Sequence, residues 1–286
     1  MSFQRPSATQ APTPPRRAGV RLPVRTHQIA VMNPSSGARL AVTASAPETA
    51  GLRPVVVLVP GGLSSGEGYF GAPGIARRMA GLGYTVVHFD PEGRGHSGGR
   101  EDYNGPAQQD GLAAVVGAAM ALQGADPSGV VLMAFCYGTS MAAGALARHP
   151  ELPVRLFLDW EGPPRRGDVR SGAGLLGWAL PAESRGDGEW WLAREAAAFM
   201  DRVAVPYQRV QSAPDHLRTD PAAALEMLRL ATAREYGGRG TSPWTRLNGN
   251  RPNRAWDVAE PAQWLPRLPG ETAVLPYLVE LAPPAF

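Results

Sequence analysis

An α/β domain with a mostly parallel sheet is the fold class this sequence predicts, and three observations carry it. Residues 54–60 and 130–135 form apolar runs rich in Val, and 84–89 is a third, mostly apolar strand. A strand with one wet face alternates apolar and polar side chains, so unbroken runs mark strands covered on both faces. Helix-like stretches over 74–82 and 110–123, and an Ala-rich run ending at His149, alternate with these strands. Parallel neighbours need such crossovers, because a two-residue hairpin cannot join them. Finally, residues 130–135 pass into their helix through Cys136 and Tyr137 with almost no loop. A turn that sharp lifts one reactive side chain above the sheet edge and leaves the Tyr137 N–H at a helix N-terminus, where it can bind a developing oxyanion.

Composition narrows the chemistry. At 286 residues, 44% of them hydrophobic, the chain can bury the core of one large domain. All 28 basic residues are Arg, so neither a Schiff-base lysine nor a phosphate-loop lysine is available. The net charge of +3 is spread along the chain without a basic stripe, and nucleic acid is not an expected partner. The single Cys excludes an internal disulfide and a Cys-cluster metal site. The five His are scattered with no H-x-x-x-H pair, so no metal and no other cofactor is expected. No apolar run approaches the ~18 residues of a membrane span, and Met1-Ser-Phe-Gln-Arg-Pro6 lacks an apolar signal core. A cytoplasmic protein without membrane association is the expectation.

Taken in order, residues 1–24 are rich in Pro, Arg, Ser and Thr and are expected to form a disordered tail ahead of one domain over 25–286. Residues 26–32 and 39–44 alternate apolar with polar about the turn Pro34-Ser-Ser-Gly37, which reads as a hairpin. A strand over 55–59 leads into the Gly-rich stretch Gly61-Gly-Leu-Ser-Ser-Gly66. After the helix 74–82 and the strand 85–89 comes the loop Asp90-Pro-Glu-Gly-Arg-Gly-His-Ser97, whose Gly residues permit a tight turn. A helix over 110–123, capped by Asp110, precedes the 130–135 strand. The strand over 155–158 ends in Asp159 and Glu161, which share a face on an extended chain. Open α/β sheets bind ligands at such C-terminal strand ends. Residues 165–200 are expected to form a small lid, with an apolar patch at 175–180 and a helix over 189–203 carrying Trp190 and Trp191. A strand over 207–210 leads to Asp215 and His216, then a helix over 221–232 and a last strand over 244–247.

The elbow Ala134-Phe-Cys-Tyr-Gly138 resembles the G-x-S-x-G motif of the α/β-hydrolase superfamily, with Ala for the first Gly and Cys for Ser. The Cys nucleophile is similar to the dienelactone-hydrolase branch. Asp90 to Ser97 is similar to the superfamily's D-x-x-G-x-G-x-S loop and implies a structural role there. The resemblance implies an α/β-hydrolase fold, a second oxyanion N–H at Gly61, Gly62 or Leu63, and a triad acid at Asp215, where Ser212-Ala-Pro-Asp215 stands for G-x-x-D. It also implies a catalytic His in the loop Gly249-Asn-Arg-Pro-Asn253, yet none lies there or anywhere beyond His216.

The function expected is cleavage of an ester, lactone or thioester by Cys136. A thiol near pKa ~8.5 already carries some thiolate at neutral pH, so it needs less base than a serine. By elimination His216 is the expected base, with His96 its rival, because His27 and His88 lie on strands and His149 at the far end of the elbow helix. Asp159 or Glu161 would orient it and Asp215 would anchor its loop. The partner expected is a small-molecule acyl substrate, with a homodimer the one assembly entertained. The alternative is a non-catalytic protein of the same fold that keeps the site as a binding pocket; an acyltransferase ranks third.

Overall fold

The computed structural model describes residues 21–171, 180–186, 188–211, 226–231, 274–275, 278–279 and 281–284. Among them, β1 (Val24–Met32) and β2 (Arg39–Pro47) form the antiparallel hairpin expected from their alternation. The other strands are β3 (Arg53–Val59), β4 (Thr85–Phe89), β5 (Ala125–Phe135), β6 (Val154–Trp160) and β7 (Tyr207–Val210). They build one sheet in the order β1-β2-β4-β3-β5-β6-β7. β2 meets β4 antiparallel, and every later pairing is parallel. The helices are α1 (Ile75–Ala80), α2 (Pro106–Met120), α3 (Gly138–Arg148), α4 (Arg166–Ser171) and α5 (Gly188–Leu192).

β3 shows why its sequence is unbroken Val and Leu. Val55, Val57 and Val59 face the core shared with α2 and α3, while Val56 and Leu58 face the one shared with α1. Alternate side chains of a strand point to opposite faces, and here both faces are covered. Each fully buried Val or Leu contributes about 1.5–3 kcal/mol against exposure.

Several boundaries depart from the sequence reading. α2 starts at Pro106 after Gly105, four residues before the expected cap. Asp110 is thus inside the helix, where it accepts hydrogen bonds from Arg148 Nη2 at 2.8 Å and pairs with His149 Nε2 at 2.8 Å. Pro at the first helical position lacks the N–H that would otherwise be orphaned, and this outweighs the Asp signal. The helix expected over 189–203 is broken into α5 and two 3₁₀ turns, Ala196–Ala198 and Met200–Arg202. Ala196, Ala197, Phe199 and Met200 lie in the core with α3, so this half of the expected lid is part of the domain body. Trp191 is buried and its indole donates to Ser184 O at 2.7 Å. Residues 172–179 of the expected lid lie outside the described residues, as do the strand 244–247 and the tail up to residue 20. Leu22 already donates to Gly81 O. Within the helix expected over 221–232, residues 226–231 are helical. No described helix is long and apolar enough to cross a membrane.

Candidate active site

β5 ends in Phe135, and the chain turns at Cys136 with φ 51°, a left-handed conformation that L-residues other than Gly seldom adopt. The strain, about 1–3 kcal/mol in general, is held by the surroundings. The Cys136 N–H donates to Trp160 O at the end of β6, and its carbonyl accepts from Thr139 N in the first turn of α3. A Cβ at Gly138 would stand 2.3 Å from Pro60 O, so only Gly lets α3 start this close to the end of β3. One at Gly61 would stand 3.0 Å from Cys136 Cβ, which sets the Gly61–Gly62–Leu63 backbone directly against the elbow. Gly62 is left-handed, with φ 59°. Tyr137 opens α3 directly after Cys136, at the helix N-terminus. Phe135 packs against Tyr69 and Trp160, giving the turn apolar walls.

The two carboxylates at the end of β6 have separated fates. Asp159 is fully buried. Its Oδ1 accepts from Thr139 Oγ1 at 2.8 Å and Gly162 N at 2.9 Å. Its Oδ2 accepts from Tyr207 Oη and Arg209 Nη1, each at 2.6 Å. Burial alone would favour loss of the Arg209 proton, but Asp159 and Tyr207 outweigh it and hold the guanidinium charged. With its oxygens saturated, Asp159 ties β6, β7 and α3 together and has no capacity left to orient a histidine, contrary to expectation. Glu161 lies beyond the strand with φ 50°, so the shared face expected for an extended chain does not exist. It is buried, and its N–H donates to Val210 O.

His88, His96 and His149 are each paired with a carboxylate. His88 is buried in β4, 3.9 Å from Glu67; burial pushes its imidazole below the ordinary range, against the pull of Glu67 and Asp90. His96 is 81% exposed, with Nδ1 3.4 Å from Asp90 Oδ2, and its backbone N–H donates to Asp90. His149 pairs with Asp110 and His27 is exposed on β1. Among the described residues no imidazole bonds to Cys136. Asp215 and His216 lie outside the described residues.

The loop after β4 has the structural role expected of it. Asp90 accepts from Glu67 N and His96 N, and Ser97 Oγ donates to Asp90 O while accepting from Ala41 N. What the sequence reading missed is its continuation. Tyr103 and Asn104 are consecutive left-handed residues, φ 53° and 64°. Asn104 Nδ2 donates to Tyr137 O at 2.8 Å, and Tyr137 Oη donates to Tyr103 O at 3.0 Å. The visible signal was the Asn104-Gly105 pair, a turn signature.

Comparison with known proteins agrees with this geometry. A family model described as alpha/beta hydrolase fold matches residues 54–155, from β3 through the elbow into β6. No curated protein matches the sequence. Among solved structures, an acylaminoacyl peptidase of Pyrococcus horikoshii aligns with TM-score 0.57 and 17% identity over 75% of this chain and 36% of its own. An esterase of Pyrococcus furiosus aligns with TM-score 0.55 and 16% identity, covering 77% of this chain and 84% of the esterase. A Klebsiella pneumoniae protein assigned as a dienelactone hydrolase aligns with TM-score 0.51 and 15% identity, covering 74% and 81%. The chain therefore spans about a third of the peptidase but most of the esterase. From β3 onward the parallel order, the left-handed turn after β5 and the matched segment all fall where one fold puts them, and the chain has the α/β-hydrolase fold.

Proposed function

We propose that this protein is a hydrolase that opens an ester, lactone or thioester through Cys136. The thiolate attacks the carbonyl carbon, and the carbonyl oxygen becomes an oxyanion held by N–H groups of Tyr137 and the Gly61–Gly62–Leu63 backbone. Collapse expels an alkoxide or thiolate, which takes up a proton, and leaves an acyl thioester on Cys136. Water then hydrolyses it, releasing the acid and restoring the thiol. The observation that carries this reading is the left-handed backbone of Cys136, a strained non-glycine turn that presents the only thiol beside two N–H sources. A structural cysteine on a core strand has no need of that conformation.

In this proposal His216 moves the proton, with Asp215 beside it in the chain. Glu161, buried at the end of β6, is the carboxylate that orients the base, and Asp159 holds Arg209, Tyr207 and Thr139. The test is incubation with p-nitrophenyl acetate, followed by intact-mass and peptide mapping. The expected result is one acetyl group on Cys136, turnover of that adduct, none in Cys136→Ala and slower turnover in His216→Ala. Hydrolysis unchanged in Cys136→Ala would remove the proposal. Ester binding without an adduct would make the chain a binding protein of the same fold.

A further inference from the structure

Arg94 in the β4 loop and Glu101, Asn104 and Gln108 beyond it form a largely buried polar network that the proposed reaction does not use. Arg94, 5% exposed, donates through Nε and Nη2 to Glu101 at 2.6 and 2.7 Å and through Nη2 to Asn104 Oδ1 at 3.0 Å. Its Nη1 reaches Gly62 O at 3.4 Å. Gln108 Oε1 accepts from Asn104 N at 2.6 Å, and Glu101 Oε1 accepts from Tyr103 N at 2.6 Å. These bonds hold two adjacent non-glycine residues in the left-handed region, a conformation costing about 1–3 kcal/mol each and kept only where the surroundings over-determine it. Burial alone would raise the Glu101 carboxyl, but Arg94, Tyr103 N–H and Gln108 outweigh this and hold it below the ordinary range, so the ion pair persists at neutral pH.

Two atoms leave the network for the elbow, and both end on Tyr137. Asn104 is fully buried and its Nδ2 donates to Tyr137 O; the Tyr103 carbonyl accepts the Tyr137 hydroxyl. Burial pushes the Tyr137 phenol well above its ordinary range, so it keeps the proton it donates. One residue is thus gripped at its carbonyl and at its side-chain tip, and the orientation of its remaining backbone group, the N–H, follows. The same Arg94 touches the carbonyl of Gly62 on the other donor segment.

We infer that Asn104 is a positioning residue that sets the Tyr137 N–H toward the oxyanion, and that Arg94 couples this donor to the Gly61–Gly62–Leu63 backbone. The inference rests on Cys136 being the nucleophile of the proposed reaction. It separates two chemistries at one sulfur. Acylation by p-nitrophenyl acetate passes through an oxyanion and needs the donors; alkylation by iodoacetamide displaces iodide and does not.

The experiment measures both rates at Cys136 by intact mass, in the wild type, Asn104→Asp, Asn104→Gly and Tyr137→Phe. Asp and Gly both tolerate the left-handed backbone, and Asp replaces the donating amide with an acceptor facing Tyr137 O. The two Asn104 variants are expected to acylate about 10- to 100-fold more slowly while alkylation stays within about twofold. Tyr137→Phe keeps the Asn104 contact and is expected to lose a few-fold, roughly, in acylation alone. If the Asn104 variants do not fold, Tyr137→Phe decides on the same ratio. Acylation at the wild-type rate, or both rates falling together, overturns the inference while leaving the nucleophile in place. A wild type that alkylates at Cys136 but never acylates there overturns the nucleophile and this inference with it.

Discussion

β5 and β6 lie side by side, and each is followed by a non-glycine residue in the left-handed region: Cys136 with φ 51° and Glu161 with φ 50°. The two turns are held in opposite ways. At β5, restraint comes from outside the strand, through Gly61, Asn104 and Tyr103, and the Sγ of Cys136 has no bonded partner among the described residues. At β6, restraint comes from the strand itself: Asp159 reaches forward to Gly162 N and across to Arg209. The first arrangement leaves the turn's side chain available for chemistry. The second spends a carboxylate, Asp159, to hold the turn. A polar side chain near an active edge is a reagent only when its hydrogen-bonding capacity is not already used by the fold.

The comparison can be broken at several points. Cys136→Ala should abolish ester turnover and leave the melting temperature within a few degrees, because one small buried side chain replaces another. A normal rate, or collapse of the fold, would mean that the β5 turn is structural like its neighbour. Asp159→Ala strands a buried guanidinium and should cost about 3–5 kcal/mol in urea unfolding. Replacing Asp159 and Arg209 together with Leu and Met should cost clearly less than the single change, since no charge is left uncompensated. A single change as mild as a surface substitution would show that β6 is not held by this pair.

Gly138→Ala puts a methyl 2.3 Å from Pro60 O and should both destabilise, by about 1–3 kcal/mol, and slow acylation of Cys136. Glu161→Gln keeps size and removes charge; turnover should fall roughly 100-fold with little change in urea midpoint. Loss of stability without loss of turnover would assign Glu161 to the fold, as Asp159 is. The smallest effect concerns His88. Its folded pKa is depressed by burial, so the unfolded chain binds a proton that the folded chain refuses. Its stabilising contribution is complete above about pH 6.5 and is lost as pH falls below that toward the folded value. Urea midpoints taken from about pH 8 to 5 should therefore drop more steeply for the wild type than for His88→Asn.

The sequence by itself determined the buried strands of the sheet and the sharp turn at Cys136. Unbroken Val runs cannot be satisfied by a strand with a wet face, and a strand that meets a helix with no loop must turn sharply at the residue between them. Those are local constraints, legible from neighbours in the chain, and β3, β4, β5 and α3 lie where they were read. Tertiary structure alone decided which hydrogen bonds use up or aim each polar side chain. Asp159 and Glu161 look equivalent two residues apart, and only Arg209 and Tyr207, about 50 residues later, distinguish them. The role of Asn104 is set by Tyr137, 33 positions away, whose carbonyl lies against its amide. The physical reason is common to both cases: the hydrogen bonds that use up or aim a polar group come from residues distant in sequence, whereas hydrophobic patterning and turn sterics are written within a few residues.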